Sequence, residues 1–355
     1  MKVHNGLEGI VAAETRLSMV DGERGELVIA GYRVEELAPS AAFEEVASLL
    51  FEAAGFACSV RAAALPPHSE MLLRSIVPQG VEVMDALRMA AGTLREEELP
   101  GAFPAIVAAY WRLLHGQEPL APRADLGYAA NYLYMLTGAE PHPELVRGLE
   151  TYLNTVVDHG LNASTFTARV IASTGSDLVS AVTGAIGALK GPLHGGAPGP
   201  ALDMVFEIGD ASRAEEVLRR KIESGERLMG FGHRVYKVRD PRADVLAAAA
   251  ERMFARTGDM HLYNLARSVE ATALRLLEEY KPGRGLQTNV EFYTALLLHG
   301  LGLEVPLFTP TFAISRVVGW MAHCAEQRRV GRIIRPQSVY VGEMRVSWPP
   351  SLLAS

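Results

Sequence analysis

The chain has 355 residues, 49% of them hydrophobic and 21% charged, a globular composition that excludes intrinsic disorder and gives room for about two domains, which need not be consecutive in sequence. A net charge of −7 excludes a general nucleic-acid binder, so any anionic ligand needs a local basic patch. Cys58 and Cys324 form no Cys-x-x-Cys pair and no disulfide framework, and neither an apolar leader nor a bilayer-length apolar run is present, so the chain is expected to be cytoplasmic, neither exported nor membrane-spanning.

In chain order, residues 17–20, the turn 21–25 and residues 26–29 predict a small N-terminal β-hairpin. Every later segment favours helix. Residues 43–54, 84–94, 129–136, 144–157, 177–189, 214–223 and 272–280 place apolar residues three and four apart with polar residues between. No βαβ alternation is visible, so the sequence predicts a large all-α protein. Internal repeats and long linkers are absent, which leaves the domain boundary to the site motifs.

Five segments carry candidate chemistry. Val157-Asp158-His159-Gly160-Leu161-Asn162-Ala163-Ser164 interrupts an amphipathic stretch with successive polar groups; a helix opening onto a pocket gives this pattern, and so does a surface-facing helix junction. Gly191-Pro192-Leu193-His194-Gly195-Gly196 and Gly230-Phe231-Gly232-His233-Arg234 each set one histidine directly beside a glycine. Glycine lets the main chain turn tightly and approach a ligand, so the pair suggests a two-histidine site, against the plainer reading of histidines in glycine-rich turns. A neutral imidazole near a helix N-terminus can donate to a developing oxyanion, the role open to His194.

In the third segment Asp240 suits a helix N-cap with Pro241 at the first helical position, which puts Arg242 in the first turn, where amides and a guanidinium suit a carboxylate. Arg234, Lys237 and Arg239 precede it and can hold phosphates, or can form a solvated turn with Asp240 and Asp244 as internal partners. Residues 230–232 make no dinucleotide fingerprint, because Val235 stands where a glycine is needed and no strand precedes them. In the fourth segment, Thr288-Asn289-Val290-Glu291 opens an apolar helix. Glu291 beside two histidines can take a proton from a carbon next to a carbonyl, but Thr288-x-x-Glu291 is also a capping-box pattern. In the fifth, Thr309-Pro310 starts a helix that carries Arg316 among Phe312, Ile314, Val317 and Val318. An arginine there needs an anionic partner, either a protein carboxylate or a ligand.

Residues 6–15, Lys190-Gly191-Pro192-Leu193-His194-Gly195-Gly196-Ala197, Gly232-His233-Arg234-Val235-Tyr236-Lys237, Asp240-Pro241-Arg242 and Gly331-Arg332-Ile333-Ile334-Arg335-Pro336 together resemble citrate synthase from end to end. The resemblance implies a two-domain all-α homodimer. Residues 1–195 and 303–355 would form the large domain and the dimer interface, and residues 196–302 a small domain that closes over the active site. It implies an acyltransferase of the tricarboxylic acid cycle that condenses acetyl-CoA with oxaloacetate and hydrolyses citryl-CoA. His194 would donate to the thioester oxygen, His233 would polarise the ketone of oxaloacetate, and Glu291 would remove the methyl proton. The carboxylates of oxaloacetate would meet His159, Arg242, Arg316 and the partner subunit's Arg335. Arg234, Lys237, Arg239, Lys281 and Arg284 would face the phosphates of coenzyme A. Coenzyme A thioester is then a co-substrate, with no permanently bound cofactor, no metal, no nucleic acid and no membrane; the absence of any His-x-His or His-x-x-x-His pair agrees.

The chain departs from the family pattern inside these motifs. The family has Asp where Glu291 stands, Pro-Asn-Val-Asp for Thr288-Asn289-Val290-Glu291, Asp-His-Glu for Asp158-His159-Gly160, and Gly-Gly-Ala-Asn for Gly195-Gly196-Ala197-Pro198. The combination is similar to a divergent branch of citrate synthases. One extra methylene moves a carboxylate by about an ångström, which can cost on the order of 100-fold in rate. Two alternatives remain: a 2-methylcitrate synthase using propionyl-CoA, since one methylene shifts preference by only about 1–3 kcal/mol, and a noncatalytic paralogue that binds coenzyme A or a dicarboxylate, motivated by the Glu291 capping box.

Overall fold

The computed structural model describes residues 3–7, 9–195, 198–233, 235–257 and 260–344. Near the N-terminus β1 (Ser18–Asp21) and β2 (Glu26–Ile29) pair antiparallel, with Ser18 opposite Ile29 and Asp21 opposite Glu26. The hairpin is present, and a third strand, β3 (Tyr32–Arg33), extends it by pairing with β2. The turn between them is Ala30-Gly31, both at positive φ (47° and 92°), as a tight two-residue hairpin turn requires. Alanine rarely takes that conformation, so this turn carries no sequence signal.

The remainder is helical. α1 (Val34–Leu37), α2 (Phe43–Ala54), α3 (Pro67–Ile76), α4 (Val83–Ala91) and α5 (Leu99–Leu114) come first. α6 (Tyr128–Thr137), α7 (Pro143–Val156), α8 (Ala163–Ala172) and α9 (Leu178–Leu189) follow. Then come α10 (Pro198–Ile208), α11 (Ala214–Glu223), α12 (Pro241–Thr257), α13 (Met260–Tyr280), α14 (Val290–Gly300) and α15 (Phe308–Val330). α13 begins a dozen residues before the predicted segment because Leu262, Tyr263, Leu265, Ala266 and Val269 continue its buried face. α5 tolerates Pro104 in its interior. Proline has no N–H for the carbonyl one turn back, and the Tyr128 hydroxyl donates to that carbonyl, Pro100 O, at 2.8 Å.

α15 is the axis of the core. It packs against α2, α5, α7, α8 and α9, and Ala313, Ile314, Val317, Val318, Trp320 and Met321 are fully buried, as are the polar Arg316 and His323 on the same helix. At Gly319 it lies so close to the end of α7 that a Cβ would stand 2.4 Å from the Val157 carbonyl oxygen. α12 packs on both α14 and α7 and thereby ties the later helices to the first half of the chain. The tip of the β1–β2 hairpin reaches the loop before α12, where Lys237 N–H donates to Gly22 O at 2.9 Å. Among the described residues no single helix is long and apolar enough to cross a membrane.

Gly319→Ala forces α15 away from a main-chain carbonyl that cannot rotate aside. It is expected to destabilise the protein by about 1–3 kcal/mol, read as a lower urea midpoint at unchanged slope; a wild-type midpoint would contradict this packing.

Candidate active site

Four interhelical loops and the first turns of α15 build the site. Residues 157–162 join α7 to α8, residues 190–197 join α9 to α10, residues 224–240 lead into α12, and residues 281–289 lead into α14. The last two loops are stitched together: Gly232 N–H donates to Gln287 O at 2.7 Å, Asn289 N–H to Gly230 O at 3.0 Å, and the Asn289 amide to Gly232 O at 2.8 Å. Gly230 and Gly232 have φ of 87° and 81°, a region that glycine enters without strain. His233 is thereby set beside the N-terminus of α14.

His159, His233 and Tyr236 form a cluster with ring centroids 4.8–5.9 Å apart, and His159 Nε2 lies 3.1 Å from the Tyr236 hydroxyl. His233 Nδ1 accepts from the amides of Val235 and Tyr236 at 3.0 and 3.1 Å, which places the proton of the neutral ring on Nε2, 3.4 Å from an Arg242 terminal nitrogen. Burial, reinforced by Arg242, lowers the His233 pKa to about 4. His159 is lowered as well, first by burial and then by Arg242 and Arg316, so both rings are neutral at pH 7.

His194 rests on the start of α8. Its Nε2 is 2.8 Å from Ser164 Oγ and 3.4 Å from the Ser164 amide, which points at it. Ser164 Oγ also accepts from the Trp320 indole at 3.1 Å and lies 2.8 Å from Asn162 Oδ1. The single hydroxyl proton thus has two acceptors in reach. Turned toward His194, it makes Nε2 an acceptor and places the imidazole proton on Nδ1. Burial, then Arg316, lowers the His194 pKa to about 4.

Charge enters through two buried arginines. Arg316 is 1% exposed; its Nε donates to Val156 O at 2.6 Å and its guanidinium stands 4.6 Å over the Phe312 ring. Among the described residues no carboxylate pairs with it, and burial pushes its pKa down to about 10. Arg242 is held by Asp240 through Nε at 3.0 Å and a terminal nitrogen at 2.8 Å. Asp240 also accepts from the amides of Arg242 and Val290 at 3.0 and 3.2 Å, so one carboxylate joins the first turns of α12 and α14.

The capping-box reading of Glu291 is corrected by this structure. The N-cap of α14 is Asn289, whose side chain accepts from Glu291 N–H at 3.0 Å, and the Thr288 hydroxyl donates to Glu270 at 2.7 Å. α14 starts one residue later than a Thr288 cap needs. Among the described residues the Glu291 carboxylate makes no hydrogen bond or ion pair. Burial pushes its pKa up to about 7, with Arg242 and Arg316 restraining the rise.

The remaining predicted residues are spread out. Arg239 pairs with Asp244 at 2.6 Å and Glu270 at 2.8 Å, the internal partnership that the sequence left open, and Glu270 also takes the hydroxyls of Thr288 and Tyr293. Lys237 and Arg284 are exposed and Lys281 is half-buried. A Cβ on Gly285 would lie 3.1 Å from Lys237 O, so the two loops share one rim. Arg335 is exposed on the arm beyond α15, which is fastened by Ile334 N–H on Ser173 Oγ at 2.9 Å. Arg234, Gly196 and Ala197 lie outside the described residues. Sequence reasoning gave no role to Tyr236, Ser164 or Trp320. Trp320 sits one helical turn after Arg316, and an indole N–H in an apolar helix calls for a buried acceptor. Taken together, neutral donors, a partly ionised carboxylate and two buried cations suit proton abstraction beside a carbonyl with stabilisation of the resulting oxyanion.

A family model described as citrate synthase, C-terminal domain, matches residues 6–337. A citrate synthase of Synechocystis sp. is 38% identical over 370 residues, covering 97% of this chain and 92% of the relative. A 2-methylcitrate synthase of Mycobacterium tuberculosis is 37% identical over 371 residues, with the same 97% and 92% coverage. The structure of Thermoplasma acidophilum citrate synthase in a ternary complex with carboxymethyl coenzyme A and oxaloacetate aligns with a TM-score of 0.88 at 30% identity, covering 99% of each chain.

His194 and His233 are expected to stay neutral until about pH 4. The unfolded chain takes up these protons near the ordinary value of 6.5, so stability falls as pH drops from about 6.5 toward 4. Histidine-resolved proton NMR checks the midpoints; values near 6.5 would contradict the buried, neutral assignment.

Proposed function

The chain belongs to the citrate synthase family, and we infer from that membership and from the site that it condenses acetyl-CoA with oxaloacetate and water to citrate and coenzyme A. It is an acyltransferase that converts the acyl group into alkyl on transfer, and the reaction places it at the entry of the tricarboxylic acid cycle. The observation that carries the mechanism is the Glu291 carboxylate, unpaired among the described residues and held in the field of the buried Arg242 and Arg316.

Arg316, Arg242 and His159 would receive the carboxylates of oxaloacetate, and His233 Nε2–H would donate to its ketone. Glu291 would take a methyl proton from acetyl-CoA while His194 Nδ1–H donates to the thioester oxygen, which needs the Ser164 proton turned toward His194. The enol carbon then attacks the ketone carbon, and the carbonyl electron pair moves to the oxygen held by His233. Water hydrolyses the citryl thioester, and coenzyme A leaves as the thiol. A carboxylate with a pKa of about 7 is matched to base catalysis near neutrality.

In the same reading, coenzyme A thioester is the co-substrate, and its phosphates meet Lys237, Arg239, Lys281 and Arg284, together with Arg234. Arg239 would share its charge with Asp244 and Glu270. Residues 196–302 form a small domain that closes on a large domain of 1–195 and 303–355. The large domain forms the interface of a homodimer, in which the partner subunit's Arg335 completes each site. The arm beyond α15 supports this, since Ile333, Tyr340 and Val341 are 60%, 70% and 93% exposed and call for cover. Two free cysteines suit a reducing cytoplasm. Similarity to a 2-methylcitrate synthase keeps propionyl-CoA as the second acyl donor to compare. The noncatalytic reading loses its motive with the capping box.

The test is release of coenzyme A thiol. Wild type is expected to turn over acetyl-CoA, with kcat/KM rising through about pH 7. Glu291→Gln should lose about 100- to 10,000-fold in kcat, while Glu291→Asp keeps the chemistry and reports the cost of arm length. The folded-state pKa of Glu291 is raised, so its contribution to stability is complete below its ordinary value of 4.5 and is lost as pH rises through about 7. At pH 8 Glu291→Gln should therefore be the more stable protein. A strong propionyl-CoA preference would move the assignment to 2-methylcitrate synthesis, and no turnover with either donor would refute the catalytic reading.

A further inference from the structure

We propose that His323, a buried histidine that touches none of the site residues assigned above to substrate, is a positioning residue for oxaloacetate, holding the His159 loop in register through Asp158. The inference rests on the reading of His159 as a substrate ligand.

His323 and Asp158 are both 0% exposed, and His323 Nε2 lies 3.2 Å from Asp158 Oδ2. The tautomer is fixed from the other side. Arg169 approaches His323 Nδ1 at 2.9 Å; a guanidinium can only donate, so Nδ1 accepts and the proton resides on Nε2, aimed at Asp158. Arg169 is itself held by Glu326 at 2.7 Å and Gln327 at 2.9 Å, and Glu326 accepts the Arg16 amide at 3.0 Å. Asp158 Oδ2 also accepts the Ser18 hydroxyl at 2.5 Å, and the Ser18 oxygen accepts Gly160 N–H at 2.9 Å. The residues on each side of His159 are thus clamped between α15 and β1. Burial alone would raise the Asp158 pKa, but His323 and Ser18 outweigh it and keep the carboxylate charged.

The clamp belongs to one face of α15. Arg316 bonds Val156 O, Gly319 packs on Val157 O, and His323 reaches Asp158, at spacings of three and four residues that share a helix face. The helix that supplies the buried cation therefore also sets the main chain from which His159 projects. Loss of His323 leaves a buried carboxylate short of a donor, and the cheapest response is for the 157–160 segment to shift toward solvent. His159 moves with it.

His323→Gln and His323→Leu test this. Glutamine offers Oε1 to Arg169 and an amide N–H to Asp158, replacing both contacts, whereas leucine fills the space with neither. His323→Leu is expected to raise the KM for oxaloacetate roughly 10- to 100-fold, with the KM for acetyl-CoA unchanged and faster amide hydrogen exchange over residues 157–162; His323→Gln should restore both. Equal shifts in the two KM values, or a glutamine variant no better than leucine, would overturn the proposal. If the leucine variant fails to fold, Ser18→Ala removes the other donor to the same oxygen from a partly exposed strand, and an unchanged oxaloacetate KM there overturns it equally. Should wild type not bind oxaloacetate, the functional reading fails, while the exchange difference between Leu and Gln still decides the positioning claim.

Discussion

Arg316 is the constraint on which the rest of the site depends. A guanidinium at 1% exposure with a carbonyl and a phenyl ring as its nearest partners carries a desolvation cost that no described carboxylate offsets at ion-pair distance. Buried charges persist when something compensates them, and a ligand anion is the natural compensation. Arg242 repeats the arrangement in part: it has a partner, yet Asp240 divides itself among Arg242 and two helix-end amides. In the proposed function these two cations receive a small ligand with more than one negative charge.

The same field sets the protonation states that the chemistry needs. Burial and neighbouring cations disfavour imidazolium, so His233 and His194 titrate near 4 and remain neutral donors. Glu291 feels burial most strongly, which raises it to about 7, and the arginines restrain that rise. Environments that push acid and base groups apart in this way are the usual mark of an assigned catalytic pair. Local folding supports the arrangement: His233 owes its tautomer to two backbone amides, and Glu291 owes its freedom to Asn289, which caps α14 in its place.

Much of the fold was legible from periodicity. α2 and α11 match their predicted spans at both ends, and the β1–β2 hairpin falls where alternation puts it. β3 was not legible, because its turn uses Ala30 at positive φ, nor was α5, whose Pro104 reads as a break until Tyr128 supplies the missing donor. At the site, residue types and glycine punctuation pointed to His159, His194, His233, Arg242 and Arg316, and Asp240-Pro241 fixed the start of α12. Spacing could not decide whether Glu291 caps its own helix, since that turns on a one-residue difference in where α14 begins. Nor could it show that Arg239 is spent on Glu270, 31 residues away, or that Asp158 and Arg169 meet His323, which lies more than 150 residues further along the chain.

Whether the two buried guanidinium groups bind a dicarboxylate is decided by calorimetric titration of oxaloacetate against pyruvate. The two ligands share the keto-acid headgroup and differ in the second carboxylate. The account predicts tight binding of oxaloacetate that is lost on Arg316→Leu, with pyruvate bound far more weakly by wild type. Equal affinity for the two keto acids, or oxaloacetate binding that survives loss of Arg316, would contradict it.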